Sequence, residues 1–202
     1  MKKAMLYIHG KGGSYLEAEQ YRENCQGFDM IGIDYNEYFP WIVQDQIQLI
    51  YEKTRKEYDS ISIIANSIGA YFAMHTLQHS NIERALFISP ILDMERLILD
   101  MMKWANVSEK DLCEKGDIPT DFGETLSWKY LCFVREHPVK WSVPTGILYA
   151  EKDELTSRQT VDMFVGSHNA DLTVMLNGEH WFHTEEQLLF LNDWMKQKLS
   201  EF

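Results

Sequence analysis

Cysteine and basic residues are both scarce in this chain. Its 202 residues include three cysteines, which share no metal-binding spacing. An odd number of scattered cysteines is typical of reduced thiols in a cytosolic protein rather than of a disulfide framework. The 19 Lys and Arg are outnumbered by 31 Asp and Glu, and the net charge is −12. Nucleic-acid-binding proteins concentrate Lys and Arg on one surface, so we expect no nucleic-acid partner.

Long apolar runs and linkers are also missing. No segment approaches the ~20 apolar residues that cross a bilayer. The apolar run Ala4–Ile8, which follows two lysines, is too short for the hydrophobic region of a signal peptide. No Pro/Gly-rich stretch divides the chain, and its length suits one domain. We therefore expect a single cytoplasmic domain over residues 1–202, without a membrane span.

The chain does contain short apolar runs that alternate with longer stretches of helical periodicity. This alternation is typical of βα units that build a mainly parallel sheet flanked by helices. The six predicted strands cover Ala4–His9, Met30–Tyr35, Ser60–Ala65, Ala85–Ser89, Gly146–Ala150 and Leu172–Met175.

Helix signals lie between and after these strands. Pro40 opens a stretch with helical spacing, and a second helix is predicted directly after Ser67. Two predicted helix starts fit the capping-box pattern, namely Thr156 with Gln159 and Thr184 with Gln187. Residues 91–141 contain no convincing strand and are too long for an ordinary loop, so this segment is predicted to form helices of its own.

A serine stands where one apolar strand meets a predicted helix. Ser67 is flanked at two-residue offsets by the small residues Ala65 and Gly69. A sharp strand-to-helix turn that exposes a nucleophile needs small neighbours, because other parts of the backbone approach it closely. The alternative interpretation is a serine that merely caps the helix.

A glycine-rich turn, His9–Gly13, ends the first predicted strand. Its backbone N–H groups are free to point into a cavity and stabilise an oxyanion. A dinucleotide-binding site competes with this interpretation, because Asp34 ends the next strand. However, that motif requires glycine where Tyr15 stands, and a phosphate-binding P-loop requires Ser or Thr where Gly12 stands.

An acid and a histidine follow the last two predicted strands. Asp153 lies just past one strand, and His180 lies just past the other. Ligands of open α/β sheets bind at this carboxyl edge, where a histidine can act as a general base. Two other assignments stay open. Asp93 is an alternative candidate for the acid, although it also suits the cap of the next helix, and His183 is an alternative candidate for the base. His75 and His79, four residues apart, form a further candidate as a metal-binding pair.

The chain order Ser67, Asp153, His180 is the one used by α/β-hydrolases. Four motifs resemble those of small serine α/β-hydrolases over nearly the whole chain: His9-Gly10 the oxyanion loop, Ala65–Gly69 the nucleophile elbow, Ala150–Glu154 the acid loop and Gly178–His180 the histidine loop. The family pattern more commonly has glycine at the position of Ala65.

The resemblance implies a three-layer α/β-hydrolase-like fold. Its six-stranded, mainly parallel sheet would lack the family's usual first two antiparallel strands, and residues 91–141 would form a helical lid. The implied activity is that of a carboxylesterase-like serine hydrolase acting on a small or medium acyl ester. Ser67, Asp153 and His180 would be catalytic, the N–H groups of Lys11 and Ile68 would bind the oxyanion, and no metal or organic cofactor would be needed. Thioesterase, amidase or acyltransferase activity and non-catalytic ligand binding stay open.

Overall fold

The computed structural model describes residues 1–201 and contains a large sheet flanked by helices. The strands are β1 (Lys3–Ile8), β2 (Phe28–Gly32), β3 (Ser60–Asn66), β4 (Ala85–Ile88), β5 (Asp117–Pro119), β6 (Thr125–Ser127), β7 (Thr145–Ala150) and β8 (Ala170–Met175). The helices are α1 (Pro40–Glu57), α2 (Ile68–Leu77), α3 (Met94–Trp104), α4 (Glu109–Lys115), α5 (Trp128–Glu136), α6 (Arg158–Ser167) and α7 (Glu185–Leu199), with a short 3₁₀-helix at Tyr15–Tyr21. Within residues 1–201, none of the helices has the length and apolar character needed to span a bilayer.

Six strands form the main sheet in the order β2-β1-β3-β4-β7-β8, and every neighbouring pair is parallel. All six carboxyl ends therefore lie at one edge. The chain passes from β1 to β2 on one side, and β3 then pairs with β1 on its other side. This reversal of strand order opens a crevice beyond the carboxyl ends of β1 and β3, where ligands of such sheets bind.

Both faces of the sheet are buried, which explains the nearly continuous apolar runs of its strands. On one face, strand side chains pack with the 3₁₀-helix and α7 in a core that includes Met5, Ile64, Leu86, Leu148 and Trp194. The alternate strand positions, such as Leu6, Ile63 and Phe87, are fully buried as well. Helices α1 and α2 contact each other and β3. The prediction of a parallel sheet between helices is confirmed.

Residues 93–139 form a second compact unit inserted into the first, which comprises residues 1–92 and 140–202. Arg135 of α5 joins the three helices of this unit, because it pairs with Glu95 of α3 at 2.7 Å and Glu109 of α4 at 2.8 Å. Asp93 caps α3, with its Oδ1 2.9 Å from the Arg96 N–H that donates to it. The prediction that this segment lacks strands is wrong, since β5 and β6 form an antiparallel hairpin. Three-residue strands are too short for alternation of apolar and polar residues to reveal them.

Two other predicted boundaries are wrong. The second strand ends at Gly32 rather than Tyr35, and the chain then leaves the sheet edge. Helix α6 is capped by Ser157, whose side chain accepts from the Thr160 N–H, and not by Thr156. The hydroxyl of Thr156 instead donates to the Pro90 carbonyl at 2.9 Å. The capping box of α7 is confirmed, and the other five strand boundaries agree within two residues.

Candidate active site

Ser67 lies at the corner between β3 and α2 with φ 53° and ψ −122°. A positive φ costs a non-glycine residue about 1–3 kcal/mol, so surrounding contacts must hold it. The Ser67 N–H donates to the Ile88 carbonyl at 3.0 Å. Its carbonyl accepts from the N–H groups of Ala70 at 3.1 Å and Ile91 at 3.0 Å. The end of β4 and the start of α2 therefore clamp the serine through main-chain atoms.

The space around the corner explains its small residues. A Cβ on Gly69 would lie 2.3 Å from the Ile8 carbonyl oxygen and 2.6 Å from that of His9. Backbone atoms cannot move away as a flexible side chain can, so any larger residue would force β1 and α2 apart. A Cβ on Gly10 would lie 3.1 Å from the Cβ of Ser67. Close packing of the first glycine turn against the serine corner thus requires glycine at position 69, and a side chain at position 10 would need Ser67 to shift by a few tenths of an ångström.

Ser67, His180 and Asp153 form a continuous hydrogen-bonded chain. The Ser67 Oγ lies 2.8 Å from Nε2 of His180, and Nδ1 of His180 lies 2.7 Å from Oδ2 of Asp153. The Asp153 side chain is fully buried. Its other oxygen, Oδ1, accepts from the N–H groups of Leu155 at 2.8 Å and Thr156 at 3.0 Å. Both carboxylate oxygens are therefore occupied, and the acid cannot rotate away from the histidine.

This arrangement favours one tautomer of His180. A carboxylate only accepts hydrogen bonds, so the proton of a neutral imidazole belongs on Nδ1, facing Asp153. Nε2 then carries a lone pair directed at the Ser67 hydroxyl. The geometry allows proton transfer from Ser67 to His180 without a change in ring orientation.

The loops that carry the acid and the histidine are joined to each other. After β7, the N–H of Glu151 donates to the Met175 carbonyl at 3.0 Å. The next N–H, of Lys152, donates to the Gly178 carbonyl at 2.9 Å. Because these bonds link the segment before Asp153 to the segment before His180, the two side chains are positioned as one rigid pair.

The glycine turn after β1 contains Lys11, one of the residues that line the cavity described below. The Gly10 carbonyl accepts from the Gly13 N–H at 3.1 Å and lies 2.8 Å from Nδ1 of His9. In a trans peptide the N–H points opposite to the carbonyl, so the Lys11 N–H is directed away from the interior of the turn. Ile68 opens α2, where N–H groups have no partner within the helix. These are the two predicted oxyanion donors.

Two tyrosines beyond β2 hold this turn in place. The Tyr35 ring stacks on the His9 ring, with centroids 4.0 Å apart, and its hydroxyl donates to the His9 carbonyl. Tyr38 accepts from the Gly12 N–H at 2.9 Å. Asp34, the acid of the dinucleotide-binding alternative whose glycine motif the sequence does not fit, is exposed. The residues with contacts to the turn are the aromatic ones.

A cavity of about 440 Å³ contains the serine and the histidine. Its lining comprises Gly10, Lys11, Gly12, Gly13, Glu17, Gln20, Tyr21, Asn66, Ser67, Ile88, His180, Trp181, Phe182, Leu188 and Leu191. The residues contributed by the 3₁₀-helix were missed by sequence reasoning. A signal for that helix exists, because Ser14 and Glu17 form a capping box, and this pattern is readable in the sequence.

The other candidate histidines predicted from the sequence, His75, His79 and His183, do not line this cavity. Nε2 of His75 is 3.2 Å from Oε1 of Gln44. No group of three or more His, Cys, Asp or Glu side chains within residues 1–201 is placed to hold a metal ion. Nδ1 of His183 lies 2.7 Å from the Trp181 carbonyl, and the His183 N–H donates to Gln187 at 3.0 Å. His183 thus belongs to the start of α7.

No model of a protein family and no curated protein matches the chain. Solved structures do match it. Est1E from Butyrivibrio proteoclasticus has a TM-score of 0.76 at 16% identity, covering 99% of this chain and 88% of that one. Alpha/beta hydrolase domain-containing protein 10 from mouse has a TM-score of 0.76 at 15% identity, and the match covers 98% of this chain and 90% of that one. An α/β serine hydrolase without lid from Xanthomonas campestris has a TM-score of 0.64 at 14% identity, and the match covers 98% of this chain and 81% of that one. The chain has the α/β-hydrolase fold, as the sequence motifs predicted.

Proposed function

We propose that this protein is a serine hydrolase that cleaves a small or medium acyl ester through an acyl-enzyme intermediate. The observation that carries the proposal is the chain of hydrogen bonds from Ser67 through His180 to Asp153 beside a cavity of about 440 Å³. The α/β-hydrolase fold hosts many chemistries, so the site rather than the fold supports the reaction.

The first half of the proposed reaction transfers the acyl group to the enzyme. Ser67 Oγ attacks the ester carbonyl while its proton passes to Nε2 of His180, and Asp153 stabilises the resulting imidazolium. The N–H groups of Lys11 and Ile68 donate to the oxyanion of the tetrahedral intermediate. When the C–O bond to the leaving group breaks, His180 returns the proton to the departing alcohol.

The second half releases the acid. Water attacks the acyl-Ser67 carbonyl, and Nε2 of His180 takes the water's proton. The tetrahedral intermediate again places its oxyanion against the same two N–H groups. Its collapse breaks the bond to Ser67 Oγ, which recovers the proton from His180. The cycle consumes one water and requires no cofactor.

We expect a fluorophosphonate probe to label the purified protein at Ser67 and activated acyl esters of short and medium chain to be hydrolysed. Labelling is read by intact mass and peptide mapping, and hydrolysis by release of p-nitrophenol. Parallel thioester and anilide series distinguish an esterase from a thioesterase or amidase. A folded protein that neither reacts with the probe nor turns over any acyl substrate would be a binding module.

We further propose that the inserted unit, residues 93–139, selects substrates. It supplies none of the proposed triad or oxyanion residues. Replacing it with a short Gly/Ser linker should therefore change the preference for acyl chain length more than the rate on p-nitrophenyl acetate, measured as kcat/KM across the series. Circular dichroism checks the fold of the shortened protein. Equal loss on all substrates in a folded variant would contradict this role.

A further inference from the structure

The cavity around Ser67 has two chemically different sets of lining residues. Apolar side chains come mainly from β4, the segment after His180, and α7: Ile88, Phe182, Leu188 and Leu191. Polar and charged residues come from the glycine turn, the 3₁₀-helix and the position before the serine: Gly10, the cationic Lys11, Gly12, Gly13, Glu17, Gln20 and Asn66. None of the three triad side chains belongs to either set. Apart from the Lys11 N–H, which is proposed to bind the oxyanion, both sets are available to recognise a substrate.

Glu17 is an acid in this lining with a fixed position. Its Oε2 accepts from the Tyr7 hydroxyl at 2.6 Å, and its Oε1 accepts from the Ser14 N–H at 3.2 Å. A carboxylate has about four acceptor positions, so these two bonds leave it able to receive another donor. The ideal Cβ position on Gly13 lies 3.0 Å from Oε1 of Glu17. The carboxylate therefore lies against the same turn that packs on Ser67.

Its hydrogen-bond partners leave the charge of Glu17 in place. Tyr7 is fully buried, and burial is the main cause that raises its pKa above the usual range, with Tyr21 and Glu17 adding to the effect. The phenol therefore donates as a neutral group, and the Ser14 N–H is neutral as well. Neither bond cancels the negative charge that Glu17 brings to the cavity.

We propose that the preferred ester carries a quaternary ammonium group, which binds next to Glu17 while the triad attacks the ester carbonyl. This proposal rests on the proposed hydrolase function. An ammonium group next to a half-buried carboxylate gains Coulomb energy that an uncharged group of the same shape does not. The chain's net charge of −12 also raises the local concentration of cations.

The test compares butyrylcholine with its uncharged isostere 3,3-dimethylbutyl butyrate, in the wild type and in Glu17→Gln. Glutamine keeps the size of the side chain and one acceptor oxygen for the Ser14 N–H, its NH2 group can donate to the Tyr7 hydroxyl oxygen, and it also suits a capping box. Glu19→Gln is the matched control, because Glu19 lies on the same 3₁₀-helix, outside the cavity lining, and pairs with Arg22. Both variants lower the negative charge by one.

We expect the wild type and Glu19→Gln to favour the cationic ester about tenfold in kcat/KM, and Glu17→Gln to lose most of that preference. Reaction with the fluorophosphonate probe and with p-nitrophenyl acetate should remain in the wild type and in Glu19→Gln. A wild type that treats both esters alike, or a Glu17→Gln variant that slows both equally, would overturn the proposal. The second result would mean that Glu17 only supports the fold.

Binding separates this proposal from the hydrolase function. If the protein hydrolyses no ester and reacts with no probe, the proposed function fails, but calorimetry still measures butyrylcholine binding. Tighter binding of the cation than of its isostere in the wild type, lost in Glu17→Gln, would support the cationic site alone. Equal binding, or no binding, would reject it.

Discussion

Replacing Ser67 with alanine should abolish covalent labelling and lower kcat by about 10³-fold or more. The substitution removes the hydroxyl that is the proposed nucleophile, while the main-chain bonds that hold the corner remain. Intact mass after probe treatment and single-turnover ester hydrolysis measure the two effects.

Ser62 provides a control on β3, the strand that leads to Ser67. It is fully buried and precedes Asn66 within β3, and its hydroxyl has no hydrogen-bond partner among residues 1–201. Ser62→Ala should label and turn over like the wild type. Full activity in folded Ser67→Ala, or equal loss in both variants, would contradict the role of Ser67 as nucleophile.

The second large effect distinguishes two histidines three residues apart. His180→Ala should lower kcat by about 10³-fold or more, because Ser67 loses the proposed acceptor of its proton. His183→Ala should cost tenfold at most, since its side chain contacts the Trp181 carbonyl and Glu179 rather than the serine. Steady-state kinetics on one activated ester gives both values.

The two variants control for each other, because they lie in the same loop and remove the same ring. Thermal melts should show both proteins folded. If His183→Ala were the inactive one, the base would be His183, and the hydrogen bond between His180 and Ser67 would have no catalytic role.

The sheet and the positions of three site residues were readable from the sequence for one physical reason. Parallel strands put their carboxyl ends at one edge, so Ser67, Asp153 and His180, each just past a strand, were expected to be close together. Apolar runs located the strands to within two residues, apart from the end of the second one. There the chain leaves the edge of the sheet, and no change in composition marks the departure.

Contacts between segments that are distant in the sequence could not be predicted from the sequence. The stacking of Tyr35 on His9 depends on where the chain turns after β2, and no periodicity encodes that turn. The local sequence predicted that Thr156 caps α6. Its hydroxyl instead donates to the carbonyl of Pro90, which is distant in the sequence. Glu17 was readable as part of a capping box, but its place in the cavity depends on how the 3₁₀-helix packs against β1.

The main-chain hydrogen bonds that hold Ser67 determine which substitutions its neighbours tolerate. The three bonds that fix this serine use its own peptide groups and those of Ile88, Ala70 and Ile91. Almost any residue supplies a carbonyl, and any residue except proline supplies an N–H. These three bonds therefore make no demand on the side chains of Ile88, Ala70 and Ile91, beyond excluding proline at Ala70 and Ile91. A strict demand lies instead at Gly69, where the Ile8 and His9 carbonyl oxygens leave no space for a side chain.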